Sequence, residues 1–171
     1  MPRILDIHSD HPYPSCELSN FAPHYFVFDN VFCASMEGLI QAFKFSDPEV
    51  QKKVCGLEGI IAKKRGRQMN LVWKGLQVVW WNGVEMPRES QEYQLLLNRA
   101  YTALFHQVTR FRKALVDSRD SILRHSIGSN DPEHTVLTEE EFTSRLTALR
   151  LFAQKLEKGK SHMDNPLAMS L

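Results

Sequence analysis

The residues from Ser35 to Phe45 read S-M-E-G-L-I-Q-A-F-K-F, and only Glu37, Gln41 and Lys44 among them carry a charged or amide side chain. These three fall at i, i+4 and i+7. On a helix turning about 100° per residue they stack into one narrow stripe, while Met36, Leu39, Ile40 and Phe43 form a separate apolar stripe. Gly38, Ala42 and Phe45 fill much of the remaining surface, so the helix is apolar nearly all round. Such a helix belongs inside a fold, with the rest of the chain wrapped about it. The polar stripe is then expected to line an internal cleft. A carboxylate, an amide and an ammonium at a partly desolvated wall suit acid–base chemistry, because burial and neighbouring charge tune a carboxylate. An internal Glu37–Lys44 ion pair bridged by Gln41 would use the same residues, and spacing alone leaves both readings open.

The chain of 171 residues is 43% hydrophobic and 10% aromatic, enough for one domain with a packed core. With 21 Lys+Arg against 20 Asp+Glu the net charge is +1, so no global basic field announces a nucleic-acid binder, although a local patch can serve. Cys16, Cys33 and Cys55 are an odd number without C-x-x-C spacing, which fits a reducing cytosol better than disulfides or zinc. The histidines are scattered without an H-x-x-x-H pair; no metal and no cofactor are expected. No signal-peptide pattern and no 18-residue apolar run is visible, so the expectation is a soluble, cytoplasmic protein without a membrane partner. The oligomeric state is not legible.

Arg3 to His8 reads as a first strand, followed by a Pro12/Pro14 loop. Tyr25–Asp29 and Val31–Cys33 read as a hairpin around Asp29-Asn30. Ser35 stands where an N-cap belongs, and the helix it opens is expected to stop near Ser46. Asp47-Pro48 starts a second helix ended by Gly56, and Gly59 to Met69 is a third segment. Leu76 to Trp81 reads as a strand, with Asn82-Gly83 as a turn before Val84. Ser90 caps a long helix reaching about His106; helical residues near Phe111 to Val116 and a strand from Ser121 to His125 follow. Thr138 with Glu141 has capping-box spacing and opens a last helix with Phe142, Leu146, Leu149 and Phe152 on its apolar face. The sum is an α+β single domain, 1–158, a small β-sheet packed with several α-helices. Residues 159–171 are expected to be a disordered tail.

The S-x-E-x-x-x-Q-A-x-K-F block, L-S-N-F at Leu18 to Phe21 and A-x-x-x-G-R at Ala62 to Arg67 resemble the NADAR, or YbiA-like, family over roughly Leu18 to Arg150. H-S-I-G at His125 to Gly128, Asp131-Pro132 and T-V-L-T-E at Thr135 to Glu139 look like a phage or bacterial branch of it. The resemblance implies an α+β domain that hydrolyses N-glycosidic bonds; the missing ligand spacing makes the expected hydrolysis metal-independent. The implied partner is a nucleotide-like small molecule, such as a phosphoribosyl-aminopyrimidine of riboflavin synthesis, or nucleic acid carrying ADP-ribose on guanine. A non-catalytic ADP-ribose-binding module is the alternative from another class. Matching positions make Glu37 the catalytic carboxylate, with Gln41, Lys44, Asn20 and Phe21 in the pocket and Arg67 near a phosphate. The family's pocket tryptophan and late D-x-x-W-G motif are not matched; Trp80 is taken for stacking and Asp131 for the second carboxylate. Strand aromatics are more often plain core and loop aspartates turn formers.

Breaking a ribosyl C1′–N bond builds positive charge on the sugar and negative charge on the departing base. Glu37 can stabilise the first or activate water, and Lys44 can keep Glu37 ionised or help protonate the base. Among Lys63, Lys64, Arg65 and Arg67, Arg67 is the expected phosphate contact, because a guanidinium fork matches phosphate oxygens; Lys63 and Lys64 read as surface. His125 reads first as a strand-end core histidine and second as a pocket acid.

Overall fold

The computed structural model describes residue 1 and residues 3–163. Their elements run β1 (Ile4–Asp6), α1 (Ser15–Leu18), β2 (Phe26–Phe28), β3 (Val31–Cys33), α2 (Met36–Ala42), α3 (Pro48–Cys55), α4 (Gly59–Arg67) and α5 (Asn70–Leu76). Then come β4 (Val78–Trp81), β5 (Val84–Pro87), α6 (Gln91–Gln107), α7 (Thr109–Asp117), β6 (Ile122–Arg124) and α8 (Glu139–Met163).

The α+β expectation holds, but the strands form three separate two-stranded ribbons among the described residues, not one small sheet. Two are antiparallel hairpins, β2–β3 and β4–β5, turned by Asp29-Asn30 and Asn82-Gly83 with positive φ at all four turn residues. The third is parallel and joins the two ends of the fold, with Leu5 opposite Leu123.

At the centre lies α2, every residue of it buried. Ser35 caps it, its Oγ accepting from the Gly38 amide at 3.0 Å. Two glycines let neighbouring helices press onto it. A Cβ at Gly38 would stand 2.7 Å from the Cys55 carbonyl oxygen on α3, and one at Gly66 on α4 would stand 1.7 Å from Gln41 Oε1. The helix stops at Ala42, short of the expected Ser46, because the buried Gln51 side chain takes over the capping: its Nε2 donates to the carbonyls of Ala42, Phe45 and Trp80 at 3.3, 2.8 and 2.7 Å.

The capping box at the start of α8 forms in both directions, Glu141 N to Thr138 Oγ1 at 3.0 Å and Thr138 N to Glu141 Oε2 at 2.7 Å. Along α8, Phe142, Leu146 and Ala153 are buried while Phe152 is exposed, so the apolar stripe turns one residue further than the sequence suggests. The helix continues to Met163, past the expected boundary at residue 158; the remainder of the expected tail, 164–171, lies outside the described residues. No helix among the described residues is long and apolar enough to cross a membrane.

Candidate active site

A cleft of about 700 Å³ opens beside α2, a size that holds a nucleotide-like ligand. Its lining comes from two groups of elements. One is α2, α4 and the Asn20-Phe21 turn, giving Glu37, Ile40, Gln41, Ile60, Lys63 and Arg67 as well as the turn residues; the other is the loop after β1 and the segment from β6 into α8, giving His8, Asp10, His125, His134, Thr138 and Phe142.

Glu37 is only 5% exposed. Its backbone N–H donates to the Asn20 carbonyl at 2.9 Å, which ties the Asn20-Phe21 turn to the first turn of α2. Gln41, one turn on, donates from Nε2 to Glu37 Oε1 at 2.7 Å. The same carboxylate oxygen lies 3.8 Å from Lys63 Nζ on α4. The other oxygen, Oε2, accepts no hydrogen bond among the described residues, so the carboxylate is oriented on one side and left open on the other. Asn20 is itself held, its Oδ1 accepting from the fully buried Tyr101 hydroxyl at 2.9 Å. Desolvation keeps the Tyr101 hydroxyl a proton donor, its pKa well above the ordinary value.

Lys44 departs from the expected stripe. Because α2 ends at Ala42, the chain turns, and Lys44 Nζ donates to Asn70 Oδ1 of α5 at 2.9 Å, 5.9 Å from the Trp73 ring centre. It does not line the cleft. Burial first, then the charge of Lys63, pulls its pKa down to about 8. The helix α5 that holds it went unread in the sequence, where Asn70 to Gly75 carries no cap or periodic signal. Lys63, taken for surface, is the lysine that the fold brings to Glu37. A signal for it existed: Ala62 and Gly66 are the small residues of α4 that face α2, and Lys63 and Arg67 each follow one of them by a single position.

Trp80 and Asp131 also stand outside the cleft lining. Trp80 is buried in β4 with its Nε1 donating to Glu85 Oε2 at 3.1 Å, the ordinary fate of a strand aromatic. Asp131 is exposed; its Oδ2 lies 2.6 Å from His134 Nδ1 and its Oδ1 accepts from the Glu133 amide at 3.0 Å, which is turn chemistry. Asn20, Phe21, Glu37, Gln41, Arg67 and His125 do come together around one cavity. His8 and His134 join them from segments that carry no site motif, and Phe142 from the apolar face of the last helix. Among the described residues, no group of three or more His, Cys, Asp or Glu side chains is arranged to hold a metal ion.

Comparison with known proteins places the chain in a family. The family model described as bacteriophage protein GP30.3 matches residues 12–151. An uncharacterized 17.1 kDa protein of the Gp30-rIII intergenic region of Enterobacteria phage T4 is 37% identical over 147 residues, 85% of this chain and 96% of that one. In fold, the chain is similar to the NMR structure of the E. coli protein YbiA, with a TM-score of 0.60 at 20% identity, covering 91% of this chain and 89% of that one. The YbiA-like architecture expected from the motifs is therefore present, and the chain belongs to the bacteriophage protein GP30.3 family.

Proposed function

We propose that the protein is an N-glycosidase that hydrolyses the ribosyl C1′–N bond of a nucleotide-like substrate, a phosphoribosyl or ADP-ribosyl nucleobase conjugate. The observation that carries this reading is the half-satisfied Glu37 carboxylate, buried at the cleft with one oxygen fixed by Gln41 and the other unclaimed. Here the open oxygen can stabilise positive charge at C1′ or take a proton from water.

The rest of the cleft supports the same substrate. Lys63 and Arg67 sit one turn apart on α4 and give the wall two cations, suited to a phosphate or diphosphate. Phe21, Ile40 and Ile60 offer apolar surface for a base or sugar face. Asn20, held by Tyr101, retains its amide N–H groups for a ribose hydroxyl or a base edge.

The test is to incubate the purified protein with guanine-ADP-ribosylated DNA and, separately, with an aminopyrimidine ribotide, and to follow the freed base by chromatography. Release by the wild type, lost in Glu37→Gln, supports the reading and identifies which substrate class is used. Tight binding with no release from either would instead make the protein a reader of such conjugates.

A further inference from the structure

Resting on that glycosidase reading, we infer that His125 is the general acid that protonates the departing base through Nε2. The C1′–N bond needs a group at each of its ends, and α2 and α4 supply the sugar end. The leaving base must be served from the other group of cleft elements, which carries three histidines: His8, His125 and His134.

Only one of them is both fixed in place and free to carry a second proton. His125 follows β6, and its Nδ1 lies 2.8 Å from the carbonyl oxygen of Ile7, itself fully buried. A carbonyl can only accept, so Nδ1 holds the hydrogen and Nε2 is the open nitrogen. The ring stands edge-on to Phe142 at 5.3 Å, and Gly128 packs so closely that a Cβ there would lie 2.8 Å from His125 Cδ2. The backbone N–H donates to Glu139 Oε1 at 3.0 Å, which fixes the chain at this point. No protein group takes Nε2 among the described residues. Protonating it breaks no existing contact.

The other two fail on one count each. His8 Nδ1 accepts from the Asp10 amide at 3.1 Å, so an imidazolium there would lose that bond. His134 is bound to Asp131 but is mostly exposed at the rim, with no packing to aim it.

In the step, a water oxygen bonds to C1′ while its proton passes to Glu37. The C1′–N electron pair goes to the base nitrogen system, which takes the proton from His125 Nε2. The products are the free ribosyl hydroxyl and the neutral base. Solvent then returns a proton to His125 and removes one from Glu37, so nothing is left over.

The test compares two leaving groups on the same phosphorylated ribose: a nucleobase, which must be protonated to leave, and 4-nitrophenolate, which need not be. His125→Asn is the variant, since its amide can still donate to the Ile7 carbonyl. The expected result is a loss of about 10²-fold or more in kcat on the nucleobase substrate, with little change on the nitrophenyl riboside. Glu37→Gln should lose both. Equal losses of His125→Asn on the two substrates would overturn the general-acid assignment and leave the glycosidase reading intact. No turnover of either substrate by the wild type, nor of the two conjugates above, would overturn the glycosidase reading and this assignment with it.

Discussion

Two buried clusters of charge in this protein look alike in composition and differ in how they are satisfied. At the start of α8, Arg88 is 1% exposed and grips Glu141 with both ends of its fork, at 3.0 and 2.8 Å, while its Nε donates to the Thr135 carbonyl at 2.9 Å. Glu141 also accepts from the Thr138 amide and from Gln94 Nε2, and hydrogen bonding to Arg88 and its neighbours holds its carboxyl below the usual range against the opposing effect of burial. Around Glu37, by contrast, one carboxylate oxygen has no partner among the described residues, and Gln41 Oε1 is buried without one. Saturated clusters hold a fold, whereas one with open acceptors leaves them to cleft water or to a ligand.

The largest expected effect sharpens this contrast. Glu37→Gln should reduce kcat on the cleaved substrate by at least about 10³-fold, the loss expected when a charge acting mainly in the transition state is removed. Thermal unfolding should move little, since the amide fits the same space. A variant that unfolds several degrees lower and keeps its kcat would make the Glu37 cluster structural, and the contrast would collapse.

Glu141→Gln is the mirror experiment. Breaking one side of a buried bidentate pair leaves Arg88 without its counter-charge, and a loss of about 3 kcal/mol in denaturant unfolding is expected. Activity per folded molecule should remain near that of the wild type, measured at a temperature where the variant is native.

A smaller effect tests how the open cluster is held. Gly66→Ala would favour helix formation by roughly 0.5–1 kcal/mol on propensity alone. Its Cβ, however, would fall 1.7 Å from Gln41 Oε1, so Gln41 must swing away from Glu37. We expect turnover to fall about tenfold with no gain in stability. A more stable and fully active variant would show that Gln41 does not need to stand where it does.

A last effect is read from the slope of stability against pH. Burial holds Lys44 at about 8, below its ordinary 10.5. Between those values the unfolded chain binds a proton that the folded chain does not, so stability should rise with pH across that window. Lys44→Met should flatten the rise, as followed by urea unfolding at pH 7.5, 8.5 and 9.5. An unchanged slope would mean that the ammonium is better solvated than its place between Asn70 and Trp73 suggests.

How legible all this was depended on whether a feature was local. Caps at Ser35, Asp47, Ser90 and Thr138 and the turns at Asp29-Asn30 and Asn82-Gly83 are written in neighbouring residues, and each is found. The pairing of Glu37 with Gln41 is one helical turn and equally readable. Lys44 was misplaced because the end of its helix is decided by Gln51, a residue on the next helix. His125 acquires its place from the packing of β6 against Ile7, which no periodicity reports, and Lys63 from the packing of α4 on α2, marked in the sequence only by the Ala62 and Gly66 spacing. The helix α5 was missed because Asn70 to Leu76 has neither cap nor amphipathic pattern, with only Trp73 buried.

The parallel ribbon of β1 and β6 has a consequence for how the protein is made. Its two strands, Ile4–Asp6 and Ile122–Arg124, are far apart in the synthesis order. While the chain emerges, α2 and Glu37 are complete early, yet the side of the cleft that holds His125 and Phe142 does not exist until residue 142 has left the ribosome. Isolated two-stranded pairs are marginal in water, so until then β1 rests on near neighbours such as Ser15, whose Oγ donates to the Asp6 carbonyl at 2.7 Å. The cavity therefore takes shape late: a chain cut short before residue 122 has the α2–α4 wall with Glu37 but lacks the wall that carries His125 and Phe142.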